Sequence, residues 1–224
     1  GLVVRSRNVD IELNDGPHRR LDIGAYPEIG GRLEFRPMVS DRGMGRGLFI
    51  AAEFMHELGL GVRDDQDQSV DPTFFRGNLR LGFLVPVGDL FEIGPDFAFG
   101  YDVYNLTENS ILPSAEYAYM RPAARARLRV WQERIAIDMG IGYRAILGRG
   151  DLSGYFGSSG SSLGMDLHLG ISGAFDFGMA YGINLDWVQY WHNFEGTVNA
   201  NGVPGRRGTD GSYRLGLWIG FALR

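Results

Sequence analysis

The chain has 224 residues, no cysteine and a formal net charge of −5 at pH 7. These values exclude a fold held by disulfides or thiolate metal sites, and they give no reason to expect nucleic acid as a partner. Glycine contributes 34 residues, and all 22 residues counted as lysine or arginine are arginine. No segment reaches the roughly 18 uninterrupted apolar residues of a transmembrane helix, which excludes a helical membrane protein. No linker-like stretch divides residues 1–224, so a single domain is predicted.

In chain order, the sequence is dominated by segments in which apolar residues alternate with polar or small ones. The segments are 3–13, 29–36, 48–54, 78–87, 92–103, 121–130, 135–147, 163–172, 179–187 and 213–223. The first is the weakest, because Arg5, Ser6 and Arg7 interrupt its apolar pattern. Strict alternation predicts strands with one apolar face. Most segments exceed the five or six residues, roughly, of a soluble strand and suit a tilted membrane strand of about 9–11.

The connections between these segments alternate in length. Short ones are predicted near 40–45, 88–90, 132–134 and 176–178, and long polar ones near 61–72, 105–116, 148–161 and 193–212. One end of the strands therefore has tight turns and the other has loops, which is typical of bacterial outer-membrane barrels. The predicted fold is an all-β, transmembrane, antiparallel up-and-down β-barrel of ten strands, with eight or twelve strands as alternatives.

The polar face of the predicted strands carries many charges, which indicates that it lines the lumen. If the apolar face pointed inward, its large side chains would overfill a barrel of this size. The predicted lumen charge network is Glu53, Glu92, Asp96, Asp102, Arg121, Arg125, Arg127, Arg129, Asp138 and Arg144. Because charges in a narrow lumen must be paired, a network of ion pairs that plugs the barrel is favoured over a selectivity filter for anions.

Aromatic residues near the segment ends predict two girdles at the two membrane interfaces. The girdle by the short turns would contain Phe91, Trp131, Phe175 and Phe177. The girdle by the loops would contain Tyr101, Tyr104, Tyr117, Tyr119, Trp187, Tyr190, Trp191 and Tyr213.

The last segment, residues 214–221, reads Arg-Leu-Gly-Leu-Trp-Ile-Gly-Phe. It resembles the C-terminal β-signal of bacterial outer-membrane proteins, with Arg214, Gly216, Ile219 and Phe221 at the signature positions. Such chains usually end on the aromatic residue, whereas three residues follow Phe221 here. The resemblance implies location in the bacterial outer membrane, contact with its lipid and lipopolysaccharide, and recognition by the barrel-assembly machinery.

A barrel of ten strands is similar in strand number to the omptin proteases, which use an Asp-x-Asp pair and an Asp-x-His pair. The matching positions are Asp65 with Asp67 and Asp166 with His168. The depth of His168 within the barrel wall and the position of Asp67 in a loop argue against a shared catalytic water. The acidic loop around Asp65 lacks the ligand spacing of a known Ca²⁺ motif. No catalytic residue, metal or cofactor is therefore predicted.

The expected function is that of a non-enzymatic envelope anchor or interaction component that displays its loops outside the cell. Other envelope proteins, in a larger assembly, are possible partners. Two alternatives stay open: a narrow channel or transporter for small solutes, and an outer-membrane protease of the omptin kind. Ion conductance and peptide cleavage distinguish these alternatives from the anchor.

Overall fold

The computed structural model describes residues 1–37, 47–58, 62–63, 69–70, 73–106, 112–131 and 134–221. The strands in these residues are β1 (Leu2–Leu13), β2 (His18–Phe35), β3 (Leu48–Glu57), β4 (Val62–Arg63), β5 (Ser69–Val70), β6 (Thr73–Phe83), β7 (Val85–Val87), β8 (Phe91–Asn105), β9 (Ala115–Trp131), β10 (Ile135–Gly148), β11 (Ser162–Ala174), β12 (Met179–Asn193) and β13 (Gly205–Phe221). A short helix, α1, covers Asp151–Phe156.

Ten of the strands close into an antiparallel up-and-down barrel, which confirms the predicted fold class and strand number. The order around the ring is β6-β3-β2-β1-β13-β12-β11-β10-β9-β8, and β8 pairs back onto β6. The short strand β7 continues beyond β6 along β8. The hairpin β4–β5 lies outside the ring. The weak first segment, 3–13, is a true ring strand that pairs with both β2 and β13.

Large apolar side chains cover the outside of the barrel on every ring strand. Each ring strand contributes an exposed apolar side chain, for example Leu2, Ile29, Phe54, Leu79, Phe97, Met120, Ile141, Leu167, Ile183 and Leu215 in turn. We call this surface the apolar belt. An exposed apolar surface of this extent is unfavourable in water and is the outer face that a membrane barrel requires. Among the described residues, no helix combines the length and hydropathy needed to cross a bilayer.

At the loop end of the barrel the polarity of the two faces is reversed. On β1 the outward positions beyond Val4 include Asn8 and Asp10, whereas the inward Val9 and Ile11 are buried. We call the parts of the strands beyond the apolar belt the loop-side extension. In this part the outside of the wall is polar and its inside is apolar, which is the arrangement expected of a barrel wall in water.

The loop-side extension corrects two predicted boundaries. β2 begins at His18 rather than at residue 29, and β13 begins at Gly205 although 193–212 was predicted to be a loop. The connection at 14–17 is a tight turn at the loop end. Polar outward residues made these strand ends look like loops. The predicted connections at 40–45, 61–72, 105–116 and 132–134 lie wholly or partly outside the described residues.

A hydrophobic core fills the mouth of the barrel at the loop end. Its buried members are Val9, Ile11, Leu13, Ile23, Tyr26, Phe74, Tyr104, Leu112, Ala115, Tyr117, Tyr119, Leu152, Phe156, Val188, Tyr190 and Phe194. Helix α1 contributes Leu152 and Phe156 to this core. The backbone N–H of Val203 donates to the Tyr155 carbonyl at 2.9 Å, which ties α1 to the connection after β12.

Candidate functional site in the barrel lumen

All ten residues of the predicted charge network lie on strand faces that point into the lumen. Asp96, Asp102, Arg121, Arg125, Asp138 and Arg144 are buried, and Glu53, Glu92, Arg127 and Arg129 are partly exposed. Period-two alternation alone therefore places these side chains on the correct face.

The centre of the lumen is crossed by a continuous chain of ion pairs. In order, its members are Arg76, Asp102, Arg144, Asp166, Arg121 and Asp96. The Asp102 carboxylate accepts hydrogen bonds from Arg144 Nη1 at 2.9 Å and from the Tyr190 hydroxyl at 2.9 Å. Arg76 Nε lies 3.2 Å from the same carboxylate. Because this chain joins side chains of β6, β8, β9, β10 and β11, it braces the barrel from inside.

The charged residues of the neighbouring strands β8 and β9 pair with each other only in part. Asp96 pairs with Arg121 at 3.1 Å, and Glu92 pairs with Arg129. Asp102, however, lies opposite Tyr117 on β9 and takes its arginine partners from β6 and β10. An extended arginine reaches across a narrow lumen, so neighbouring strands need not supply each other's partners.

Asp138 on β10 likewise binds an arginine of a different strand. Arg127 Nε donates to Asp138 on β10 at 2.8 Å, although β8 is its other neighbouring strand. The hydroxyl of Ser172 donates to the other oxygen of Asp138 at 3.4 Å.

Two buried arginines on β1 were not recognised as lumen residues from the sequence. Arg5 pairs with Glu28 at 3.1 Å and donates to the Tyr104 hydroxyl. Arg7 donates two hydrogen bonds to Asp210, at 2.9 and 2.6 Å. Both arginines were taken as interruptions of an apolar face. The pattern that could have identified them is that Arg5 and Arg7 occupy odd-numbered positions, as do the inward residues Val9 and Ile11.

Four tyrosines predicted for the loop-side girdle lie inside the barrel instead. Tyr104, Tyr117, Tyr119 and Tyr190 are at most 2% exposed. Tyr117 stacks on Tyr190 with ring centroids 4.3 Å apart, and its hydroxyl donates to Asp210 at 2.7 Å. Each ring fills space while its hydroxyl finds a polar partner, which suits the boundary between the charged and apolar layers.

The remaining predicted girdle residues lie on or near the outer surface. Tyr101, Trp187, Trp191 and Tyr213 lie on outward positions towards the loop end, and Phe91, Trp131, Phe175 and Phe177 lie at or beside the short-turn ends of their strands. The girdle prediction therefore fails only where the strands continue beyond the apolar belt.

The loop-side half of the lumen is closed by side chains. Asp102 and Arg144 are each 1% exposed, and Tyr117 is 0% exposed. Strands β1, β2, β6 and β8–β13 all contribute buried groups to this layer, which we call the plug. Among the described residues, side chains buried to this extent pack against one another across the lumen.

The lumen between the plug and the short turns is less tightly filled, and we call it the vestibule. The side chains of Arg127 and Arg129 are 20% and 24% exposed there. A cavity of about 240 Å³ reaches the rim of the vestibule, where Arg36, Glu92 and Arg129 line it together with the turn at Gly88. The vestibule is therefore a recess closed at one end by the plug.

Of the residues compared with the omptin pairs, Asp166 and His168 are described, and they bind different partners. His168 Nδ1 lies 2.6 Å from Asp186 on β12, whereas the Asp166 carboxylate is held by Arg121 and Arg144. Asp65 and Asp67 lie outside the described residues, as does the acidic loop weighed for Ca²⁺. Among the residues that the structure describes, no cluster of three or more histidine, aspartate or glutamate side chains could hold a metal ion.

Beyond the strands, Arg149 anchors the connection after β10. Its Nη2 donates to the Ser159 carbonyl at 3.0 Å, and its guanidinium lies over the Phe194 ring. Burial lowers the pKa of Arg149, and Tyr117 opposes this shift. The side chain thus supports the mouth of the barrel.

Solved structures of bacterial outer-membrane proteins resemble the chain in architecture. The outer membrane protease OmpT from Escherichia coli has 9% sequence identity and a TM-score of 0.50, with 99% of this chain and 94% of that chain covered. This chain has the fold of a bacterial outer-membrane β-barrel. At such low identity the likeness shows the fold and does not transfer an activity.

Two further structures are similar at lower scores. The NanC porin has 10% identity, full coverage of both chains and a TM-score of 0.38. The outer membrane phospholipase A from Escherichia coli has 13% identity, covers 98% of this chain and 96% of its own, and has a TM-score of 0.34. No protein-family model and no curated protein matches the sequence.

The residues of the β-signal-like motif occupy two faces of the last strand of this fold. Arg214 and Gly216 point inward, and Arg214 Nη2 lies 3.4 Å from Glu53. Ile219 and Phe221 point outward and are 72% and 76% exposed. Arg214 is thus a lumen residue as well as a signature position. Recognition of this strand by the barrel-assembly machinery stays a prediction.

Proposed function

We propose that this chain is an integral protein of the bacterial outer membrane, a closed and non-enzymatic barrel that anchors an interaction surface at the cell exterior. The apolar belt supports insertion into a lipid bilayer. The fold and the difference between the two barrel ends support an orientation with the loop-side extension outside. The single observation that carries the proposal is the plug.

The plug argues against conduction because its groups hold one another and are not arranged around a pore. Asp102 and Asp166 each bind two arginines, and the Tyr190 hydroxyl donates to Asp102. Opening such a network would leave buried charges without partners, which is costly. Ten strands also enclose far less space than the 16–18 strands, roughly, of an open porin.

The partners of His168 and Asp166 in the lumen also argue against a proteolytic role. General acid–base catalysis needs a base within hydrogen-bond reach of a reacting group. His168 is bound to Asp186 inside the barrel wall, and Asp166 is saturated by two arginines. With these partners, neither side chain is available to a substrate at the loop end.

The proposed partners follow from the outer surface. The apolar belt would contact outer-membrane lipid. The loop-side extension carries exposed charges of both signs, including Asp10, Arg20 and Arg206. Such a surface suits contact with lipopolysaccharide headgroups or with another envelope protein. Folding into the membrane would require the barrel-assembly machinery.

Planar-bilayer recording of the wild-type protein tests the proposal. We expect no steady conductance, because the plug blocks the lumen. Quenching of Trp131, Trp187 and Trp191 by brominated lipids would verify insertion in the same preparation. Steady, ion-selective conductance by the inserted wild type would refute the closed barrel and support the channel.

A peptide-cleavage assay tests the non-enzymatic part of the proposal. We expect no cleavage above background from the folded wild type in lipopolysaccharide-containing micelles. Cleavage by the wild type that disappears in His168→Ala would overturn the proposal in favour of the protease.

A further inference from the structure

Among the described residues, the vestibule contains more arginines than carboxylates. Its arginines are Arg32, Arg36, Arg80, Arg125, Arg127 and Arg129, and its carboxylates are Glu34, Glu92, Asp96 and Asp138, with Asp89 at the rim. Asp96 is also shared with Arg121 of the plug. The next layer, in which Arg214 faces Glu53 and Asp186, holds one more carboxylate than arginine. In the part of the chain that the structure describes, the vestibule is therefore an arginine-rich recess.

Arg125 lies within this recess and differs from the other arginines in how it is held. It is 4% exposed, and its Nε and Nη1 atoms have no hydrogen-bond partner among the described residues. The nearest described carboxylate oxygen, on Asp138, is 3.9 Å from Nη2, and that oxygen already accepts from Arg127 at 2.8 Å. The guanidinium also lies over the ring of Phe49, 5.4 Å from its centroid. A buried guanidinium without acceptors is unfavourable.

The surroundings of Arg125 place further positive charge near its unpaired guanidinium and leave space on one side of the side chain. Arg32 and Arg80 are close enough to repel its charge. Its cross-strand neighbours on both sides are glycines, Gly94 and Gly140. A Cβ built on Gly140 would lie 4.0 Å from Arg125 Cγ and meet no closer atom than His168 Cβ at 3.6 Å. The Gly140 side therefore leaves room beside the Arg125 side chain, whereas on the Gly94 side a Cβ would meet the Phe83 carbonyl oxygen.

We propose that the vestibule binds a small oxyanion, a phosphate or carboxylate group, at Arg125 with help from Arg32 and Arg80. Such a group presents oxygen acceptors in the geometry that a guanidinium matches. It would satisfy the nitrogens that lack partners and offset the repulsion among the three arginines. The site is separate from the plug, so the inference goes beyond the proposed anchor function and does not require conduction.

The test compares anion binding by wild type and variants of the folded full-length chain in detergent micelles. Inorganic phosphate and acetate are the probes, titrated by calorimetry and by thermal unfolding at constant ionic strength set with sodium chloride. We expect the unfolding midpoint of the wild type to rise with at least one probe, because a ligand that binds the folded state stabilises it. The more effective probe identifies the group as phosphate or carboxylate.

Arg125→Met should weaken binding of that probe about tenfold or more, since one charge-assisted hydrogen bond of this kind is worth at least that factor. Without the probe, the variant should be as stable as the wild type, because it loses a charge that had no strong partner. Arg206→Met is the matched control, since Arg206 pairs with Glu12 at 3.1 Å on the outer surface. It should leave binding unchanged.

Three outcomes would overturn the proposal. The first is a wild type that binds neither probe, which needs no variant to interpret. The second is unchanged binding by Arg125→Met. The third is a strong loss of stability or failure to fold of Arg125→Met while Arg125→Lys folds normally, because that pattern makes Arg125 a structural ion-pair partner.

Discussion

At the scale of single residues, Asp102 connects arginines of two different strands inside the lumen. It is 1% exposed and interacts with Arg76, Arg144 and the hydroxyl of Tyr190. A carboxylate in such a setting is stable only because its partners are in place. Removal of the carboxylate would leave two buried arginines with an excess of positive charge.

Asp102→Ala should therefore lower the free energy of unfolding by about 3–5 kcal/mol. Asp176→Ala is the matched control, because Asp176 pairs with Arg134 at 3.1 Å on the surface, where the two side chains are 83% and 59% exposed. That change should have little effect on stability. Urea unfolding in detergent micelles measures both. Equal effects would show that water reaches Asp102 and that the plug is open.

At the scale of the strand, the meaning of alternation depends on the height along the barrel. Within the apolar belt the outward residues are apolar and the inward ones are charged or small. Within the loop-side extension of β1, the outward residues are polar and Val9, Ile11 and Leu13 fill the inside. The backbone pairing is the same in both parts, and only the solvent outside the wall differs.

A single arginine placed on the outer face at two heights tests this account. Leu167→Arg lies in the apolar belt on β11 and should cost about 2–4 kcal/mol of stability in lipid. Asn8→Arg lies on the outer face of the loop-side extension and should change stability by less than about 0.5 kcal/mol. Unfolding in phospholipid vesicles measures the difference. Similar costs for both changes would mean that the belt is placed at the wrong height.

At the scale of the whole molecule, closure of the ring removes the exposed edges that a ten-stranded sheet would otherwise present. The first strand completes the closure, since β1 pairs with β13 along Leu2–Leu13 and with β2 on its other side. The first and last strands of the ring must therefore meet before the barrel is complete.

The closed barrel should resist dodecyl sulfate at room temperature and migrate differently on gels before and after boiling. Deletion of residues 1–13 should abolish the heat-dependent shift, because β2 and β13 would then lose their common partner. Replacement of Glu12 by glutamine, at an exposed position on the same strand, should preserve it. A shift that survives the deletion would show that the barrel closes without β1.

The sequence alone favours ten ring strands over eight or twelve, and it indicates the face of each strand that lines the lumen and the charges carried on that face. This is possible because alternation is a local property, so Asp138 and Arg144 can be assigned to the lumen from their immediate neighbours. The same reasoning fails for Tyr117 and Tyr190, because the pattern does not show where the bilayer ends along a strand.

Only the tertiary structure decides which charges meet and which remain without a partner. Ring closure brings Arg76, Asp102 and Arg144 together from three strands, and long arginine side chains then choose among several carboxylates within reach. Arg125 belongs to the same sequence pattern as Arg121 and Arg127, yet it lacks a close acceptor because Asp138 is taken by Arg127. Such competition depends on distances across the lumen, and these are set by the closed barrel as a whole.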